Sequence, residues 1–222
     1  MKTSLSPTTD RGLTLLEIFV ILAVISVLGL LLVPALNRAK IRAQRITCNG
    51  YLKQIGLAYR VWEGDNKDLY PTQVAGTNGG TMDFITGPNA WRHFQVMSNE
   101  LSTPLVLICP AESDRTRAAA TNFDFLRNSN ISYFVGIDAN DTNPQLILSG
   151  DRNITNGTLV KNGLLELTTH RPSGWTAEMH DGVGNLALSD GSVQQVSATG
   201  LRTAVTNTGL ATSRLQMPML GP

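Results

Sequence analysis

The residues best suited to chemistry in this sequence are a few imidazole, carboxylate and guanidinium groups: His180, Asp181, Asp190, Asp151 and Arg152. Imidazoles and carboxylates commonly serve as metal ligands and as general acids or bases. We predict one strand between His180 and Asp190, and about eight residues at ~3.3 Å each would hold these side chains more than roughly 20 Å apart. Asp181 and Asp190 each precede a glycine, which is typical of turns. We therefore interpret both as turn residues and expect no metal there.

Other signatures of enzymes and metal sites do not occur in the sequence. It has no Gly-rich phosphate loop, no cysteine pair at zinc spacing, no nucleophile elbow and no spaced loop of calcium ligands. His93 and His170 are each isolated, and an isolated histidine is more often structural than catalytic. We expect no catalytic residue and no cofactor. A membrane-anchored hydrolase that uses His180 or Asp151 is therefore the weakest hypothesis for the function of this chain.

The composition describes an ordinary folded domain with an apolar segment added to it. The chain has 222 residues, of which 42% are hydrophobic and 16% charged, and its formal net charge is +1. This length allows one or two domains with a real hydrophobic core. Phosphate binding needs clustered lysine and arginine, and a net charge near zero gives no general attraction to nucleic acid. We expect no nucleic-acid partner.

The apolar residues concentrate in the segment 13–36, LTLLEIFVILAVISVLGLLLVPAL, behind a short leader of twelve residues. From Ile18 to Leu36 there is no charge over 19 residues, which is about 28 Å of helix at ~1.5 Å per residue and close to the ~30 Å of a bilayer core. A secretory signal peptide cleaved before Leu36 is one interpretation, but its core would span only roughly 7–15 residues. A plain single-span anchor is another, but burying Glu17 in it would cost ~2.5 kcal/mol or more.

A third interpretation explains why an acid, Glu17, lies in the apolar segment. The run RGLTLLE at 11–17 resembles the processing signature of type IV prepilins and type II secretion pseudopilins, in which glycine, a hydrophobic residue, threonine, two aliphatic residues and glutamate precede an apolar helix. The resemblance implies that a prepilin peptidase cuts between Gly12 and Leu13 and methylates the new amine of Leu13, where the family usually has phenylalanine. It also implies that Glu17 pairs with the N-terminal amine of a neighbouring subunit, which would satisfy a costly buried carboxylate.

The resemblance implies a structural role and not catalysis. The expected function is a subunit of a type IV pilin-like filament, most closely a type II secretion pseudopilin. The implied partners are copies of itself or other pilin-like subunits, the prepilin peptidase, the inner-membrane assembly machinery and membrane lipid. The chain would cross the inner membrane once, with a cytoplasmic N terminus and a periplasmic C-terminal domain. The main alternative is a monomeric, single-span membrane-anchored binding module with an exported domain.

A basic stem follows the apolar segment. Residues 37–62 carry apolar side chains at helical spacing, which predicts an amphipathic helix packed on its own domain. These residues are Ile41, Cys48, Leu52, Ile55, Tyr59 and Trp62. We expect Pro34 to bend the helix ahead of the stem. The stem's arginines and lysines would favour a cytoplasmic location by the positive-inside tendency, whereas the pilin resemblance implies the opposite orientation, which we adopt.

Residues 63–222 predict a globular domain of loops and antiparallel strands, so the fold class is α+β: a long N-terminal transmembrane and stem helix packed on a C-terminal antiparallel sheet. The predicted organisation is a leader at 1–12, an assembly helix at 13–36, a stem at 37–62 and the globular domain. The predicted strands are Pro104 to Cys109, ISYFVGI from 131, QLILS from 145, LLEL from 164, and a meander of WTAEMH, VGNLALS and SVQQVS. A short helix at 197–207 and an extended tail complete the prediction.

Cys48 and Cys109 are the two cysteines of the chain. In an exported domain such a pair suggests one disulfide, which would tie the stem to the domain and close a loop of about 60 residues. Two independent buried thiols are the alternative. The runs CNGYLKQIG from 48, ICP from 108 and GNLALSDGSVQQV from 184 are similar to a large pseudopilin-like family of planctomycete and verrucomicrobial type, and this resemblance favours the disulfide.

Overall fold

The computed structural model describes residues 14–220 of the chain. It forms two compact units, Met1–Arg42 and Ala43–Pro222. Helix α1, Leu15–Asp65, contributes to both units. The predicted leader at 1–12, and with it the cleavage position between Gly12 and Leu13, lies outside the described residues.

Helix α1 confirms the long N-terminal helix that the sequence predicts. It is continuous through Pro34. It ends where Lys67 and Asp68 both take positive φ, 60° and 58°, a conformation that stops a right-handed helix. The stem stripe is buried from Cys48 to Trp62, and the prediction fails only at Ile41, which is 51% exposed.

The globular unit is built on an antiparallel sheet, as predicted. Within the described residues the sheet has six strands in the order β4-β8-β1-β2-β6-β7, and a two-stranded ribbon pairs β3 with β5. The strands are β1 Tyr133–Gly136, β2 Ile147–Asp151, β3 Ile154–Thr155, β4 Leu164–Leu167, β5 Gly174–Trp175, β6 Gly184–Leu188, β7 Val193–Val196 and β8 Ser213–Gln216. The further helices are α2 Ala90–Gln95, α3 Ser98–Leu101 and α4 Ala198–Asn207.

The sheet divides the unit into layers because successive side chains of a strand point to opposite faces. In β1, Tyr133 and Val135 join the core formed with the stem, whereas Phe134 joins a second core that contains Leu201 and Val205 of α4. Neighbouring strands alternate in the same way. The central strands are therefore buried on both faces, between the stem and α4.

Two predicted strands are wrong, and each has a local cause. Residues 104–107 form a 3₁₀ turn, because Pro104 cannot donate to a ladder and the Thr103 hydroxyl accepts a hydrogen bond from the amide of Leu105 at 3.4 Å. Of WTAEMH, only Trp175 lies in a strand, β5, which pairs with β3 and not with β6. The remaining hairpin, β6 with β7, is confirmed, and the extended tail includes β8, between β4 and β1.

Candidate functional site

The first candidate feature is the apolar half of α1. It is the one helix in the described part of the chain that is long and apolar enough to cross a membrane. Its large side chains are exposed all around the helix, from Leu15 at 80% to Leu30 at 76% and Leu36 at 58%. A helix that is apolar on every face needs lipid or protein around it. These properties are consistent with a single-pass membrane anchor.

Glu17 lies in the first turn of this helix and forms a capping box with Thr14. The Glu17 carboxylate accepts hydrogen bonds from the Thr14 amide at 2.8 Å and from the Thr14 hydroxyl at 2.9 Å. In return, the Thr14 hydroxyl accepts a hydrogen bond from the Glu17 amide at 3.3 Å. Such reciprocal bonds satisfy amide groups that a helix N-terminus leaves unpaired. The acid that the sequence singled out for assembly therefore also starts the helix.

The second candidate feature is a cluster at the stem that we call the Cys–Asp–His cluster: Cys48, Cys109, Asp151 and His180. The two cysteines form the predicted disulfide, with Cα atoms 5.2 Å apart. Asp151 Oδ1 lies 3.4 Å from Cys48 Sγ, and His180 Nε2 lies 3.4 Å from Cys109 Sγ. His180 Nε2 is also 3.4 Å from Asp151 Oδ2. All four side chains are at most 1% exposed.

Burial controls the protonation of this cluster. It raises the pKa of Asp151 to about 7, although the amide and side chain of Asn185 oppose the shift by donating to Asp151 Oδ2 at 2.7 and 2.9 Å. Burial, with a smaller effect from the Arg45 cation, lowers the pKa of His180 to about 4. His180 is therefore neutral at pH 7, and its contact with Asp151 is not an ion pair.

The loop that carries His180 is held in an uncommon conformation. Met179 and Asp181, on either side of it, both take positive φ, 62° and 55°, which costs free energy for residues with a Cβ. The Asn153 side-chain amide donates to three carbonyls of this loop, those of residues 176, 178 and 183, at 2.9–3.2 Å. Arg45 of the stem donates to the His180 carbonyl at 3.0 Å. Several contacts therefore aim His180 inward at the disulfide.

The sequence did not predict this cluster. The sequence led us to consider His180 together with Asp190 and to place them at opposite ends of one strand, with Asp190 in a turn. Asp190 does lie exposed in the β6–β7 turn, where it accepts a hydrogen bond from the Ser192 amide. Asp181 is likewise an exposed turn residue. Arg152 binds Glu112 at 2.5 Å and Glu178 at 2.8 Å, so it supports the fold beside the cluster. The one available signal was Asp151 itself, an acid two residues after the predicted strand QLILS.

His93 is a separate buried site with a structural role. Its Nε2 donates to Gln216 Oε1 at 2.5 Å, because the Gln216 amide nitrogen already donates to the carbonyls of Phe84 and Gly87. Its Nδ1 then accepts from the Thr81 hydroxyl at 2.6 Å. This arrangement satisfies a neutral imidazole, and burial lowers the pKa of His93 to about 4.

Together these features define a class: an α+β domain carried on a single apolar helix and tied to that helix's stem by a disulfide. In comparisons with known proteins, no family model, no curated protein and no solved structure matches the chain.

Proposed function

We propose that the chain is a subunit of a type IV pilin-like filament, most closely a type II secretion pseudopilin, which polymerises through its N-terminal helix. The observation that carries the proposal is that the exposure of apolar side chains changes along α1. Its first half exposes apolar side chains on every face, whereas its stem buries one face in the globular domain from Cys48 onward. One half of the helix is thus free to pack on lipid or on other copies, and the other half fixes the domain to it.

The RGLTLLE run gives this helix a processing route. The precursor would be stored in the inner membrane, where a prepilin peptidase cuts between Gly12 and Leu13 and methylates Leu13. Machinery in the membrane would then move the helix into the core of a filament. There Glu17 would exchange its bonds with Thr14 for the positively charged amine of a neighbouring subunit, since a buried carboxylate is most stable beside a cation.

Two substitutions at Glu17 separate charge pairing from helix capping. Glu17→Gln removes the charge but keeps a side chain that can complete a capping box, whereas Glu17→Ala removes both. If charge pairing drives assembly, both variants lose most of their incorporation into filaments and remain in the membrane. Glu166→Gln, at an exposed strand position, is the matched control and should assemble normally.

The measurement is the fraction of chain found in pelleted filaments against the membrane fraction, in cells that carry the assembly machinery. Mass spectrometry of the N-terminal peptide should find N-methylated Leu13 in the wild type. Loss of incorporation by Glu17→Ala alone would assign Glu17 to capping. Normal incorporation of both variants, or an intact leader in the native membrane, would contradict the proposal and favour a monomeric membrane-anchored binding module.

A further inference from the structure

We propose that the Cys–Asp–His cluster is a zinc site in the reduced chain, so that the stem is held to the domain by Zn²⁺ before the disulfide forms and by the disulfide afterwards. The inference depends only on the globular unit and holds whether or not the chain polymerises. Two thiolates, one imidazole and one carboxylate are all established zinc ligands. The structure brings one atom of each within 4.8 Å of every other.

The distances fit a tetrahedral ion. With Zn–S bonds of about 2.3 Å and Zn–N or Zn–O bonds of about 2.0–2.2 Å, neighbouring ligand atoms lie roughly 3.3–3.8 Å apart. The separations of Cys109 Sγ from His180 Nε2, of His180 Nε2 from Asp151 Oδ2 and of Cys48 Sγ from Asp151 Oδ1 are each 3.4 Å. Asp151 makes these contacts through different oxygens, and one oxygen of its carboxylate lies within 4.8 Å of the other three ligand atoms. The two sulfur atoms are bonded to one another, and breaking that bond would free both of them to bind a metal ion.

The surroundings supply hydrogen bonds to the aspartate and to one cysteine of the site, whereas the buried Nδ1 of His180 has no hydrogen-bond partner among the described residues. Asn185 donates two hydrogen bonds to Asp151 and so orients its carboxylate. The Tyr133 hydroxyl lies 3.1 Å from Cys48 Sγ, where it can donate to a thiolate. Zinc with two thiolates and a carboxylate has a net charge of −1, and the Arg45 guanidinium lies beside the cluster at the His180 carbonyl. The strained loop around His180 places a metal ligand where an ordinary core would place an apolar side chain.

When the disulfide forms, a disulfide oxidant accepts two electrons from the thiolates of Cys48 and Cys109, takes up two protons from water and becomes a dithiol, while Zn²⁺ leaves the site. In the reverse direction a dithiol reductant gives two electrons and two protons to the Cys48–Cys109 disulfide and becomes a disulfide itself. The two thiols then bind Zn²⁺ and release their protons to water. Because the cluster is buried and joins the stem to three later segments, the metal would enter as the domain folds, and metal binding would stabilise the folded state.

The test uses the full-length chain in detergent micelles. The disulfide is reduced in denaturant with a phosphine, and the chain is refolded with Co²⁺, with Zn²⁺ or with a chelator. We expect one Co²⁺ per reduced chain, with the intense visible bands of tetrahedral cobalt and a thiolate-to-cobalt charge-transfer band, and displacement by Zn²⁺. X-ray absorption of the zinc form should show two sulfur and two nitrogen or oxygen ligands. The oxidised chain should bind neither metal at this site.

Variants identify the ligands. Asp151→Asn and His180→Gln should each weaken Co²⁺ binding by roughly tenfold or more, whereas Asp190→Asn and His170→Gln, at exposed positions, should leave it unchanged. If a cluster variant fails to fold, the melting temperature of the wild type still tests the proposal. Zn²⁺ should raise the melting temperature of the reduced chain and not that of the oxidised chain. Equal binding by both redox forms, a zinc shell without two sulfur atoms, or no binding by the reduced chain would overturn the proposal.

Discussion

The pH dependence of stability should reveal the buried neutral state of His93. Burial lowers its pKa from the ordinary 6.5 to about 4, so between these values the unfolded chain binds a proton at residue 93 that the folded chain does not. Stability from this residue is therefore complete above pH 6.5 and is lost as the pH falls towards 4. At about 1.4 kcal/mol per pH unit, the loss is about 2 kcal/mol at pH 5 and roughly 3 kcal/mol at pH 4.

The perturbation that isolates this effect is His93→Gln, because glutamine does not titrate. Other groups, including Asp151 and His180, titrate in both proteins and cancel in the difference. The free energy of unfolding of the globular unit is measured by urea titration of the full chain in micelles, followed by tryptophan fluorescence at pH 7 and pH 5. We expect His93→Gln to be less stable at pH 7, since Thr81 and Gln216 lose their shared partner, but to lose about 2 kcal/mol less than the wild type on going to pH 5.

His170→Gln is the control, since His170 is exposed, and it should keep the wild-type difference between the two pH values. If wild type and His93→Gln lost the same free energy between pH 7 and pH 5, the imidazole would not be held neutral in the folded chain. The interpretation of its hydrogen bonds to Thr81 and Gln216 would then be wrong.

Two further predictions concern the covalent and backbone constraints of the domain. Replacing Cys48 and Cys109 together by alanine should lower the free energy of unfolding by about 4 kcal/mol, the loop entropy for a 61-residue separation, as measured by urea titration with a chelator present; an unchanged midpoint would refute it. Gly136→Ala should destabilise by roughly 3 kcal/mol or more, because its Cβ would lie 1.8 Å from the Ile147 carbonyl oxygen. Gly50→Ala, with open space around its Cβ in helix α1, should instead stabilise by ~1 kcal/mol; equal thermal midpoints for the two variants would contradict the steric argument.

The sequence predicts those elements whose pattern is local. The all-apolar run behind Glu17 favours a helix in an apolar environment, and Asp190-Gly191 between alternating runs favours a hairpin turn. The 3₁₀ turn at 104–107 was wrongly predicted as a strand, because one proline and one threonine hydroxyl outweigh an apolar run of six residues. The turn after Trp175 was missed because the Asn153 amide, more than 20 residues earlier in the chain, takes the carbonyls that a strand would have paired.

The Cys–Asp–His cluster could not be predicted from the sequence for a different reason. Its four members come from the stem, from the segment after a 3₁₀ turn, from the end of β2 and from a strained loop. No spacing along the chain relates them, because their proximity is produced by sheet pairing and by packing of the stem. The disulfide could be predicted, since each of the two cysteines has only one possible partner. Nothing in the sequence similarly restricts which aspartate and which histidine lie beside that disulfide.

The position of the disulfide also determines how the domain would respond to mechanical force. A pull between the apolar half of α1 and the C terminus enters the globular unit through the stem, and at Cys48 it passes across the covalent bond to Cys109. The 61-residue separation between them, roughly 200 Å of extended chain, carries no tension and cannot be drawn out. Reduction of the disulfide would allow this segment to extend. The bond between Cys48 and Cys109 would therefore also limit how far the subunit can stretch under load.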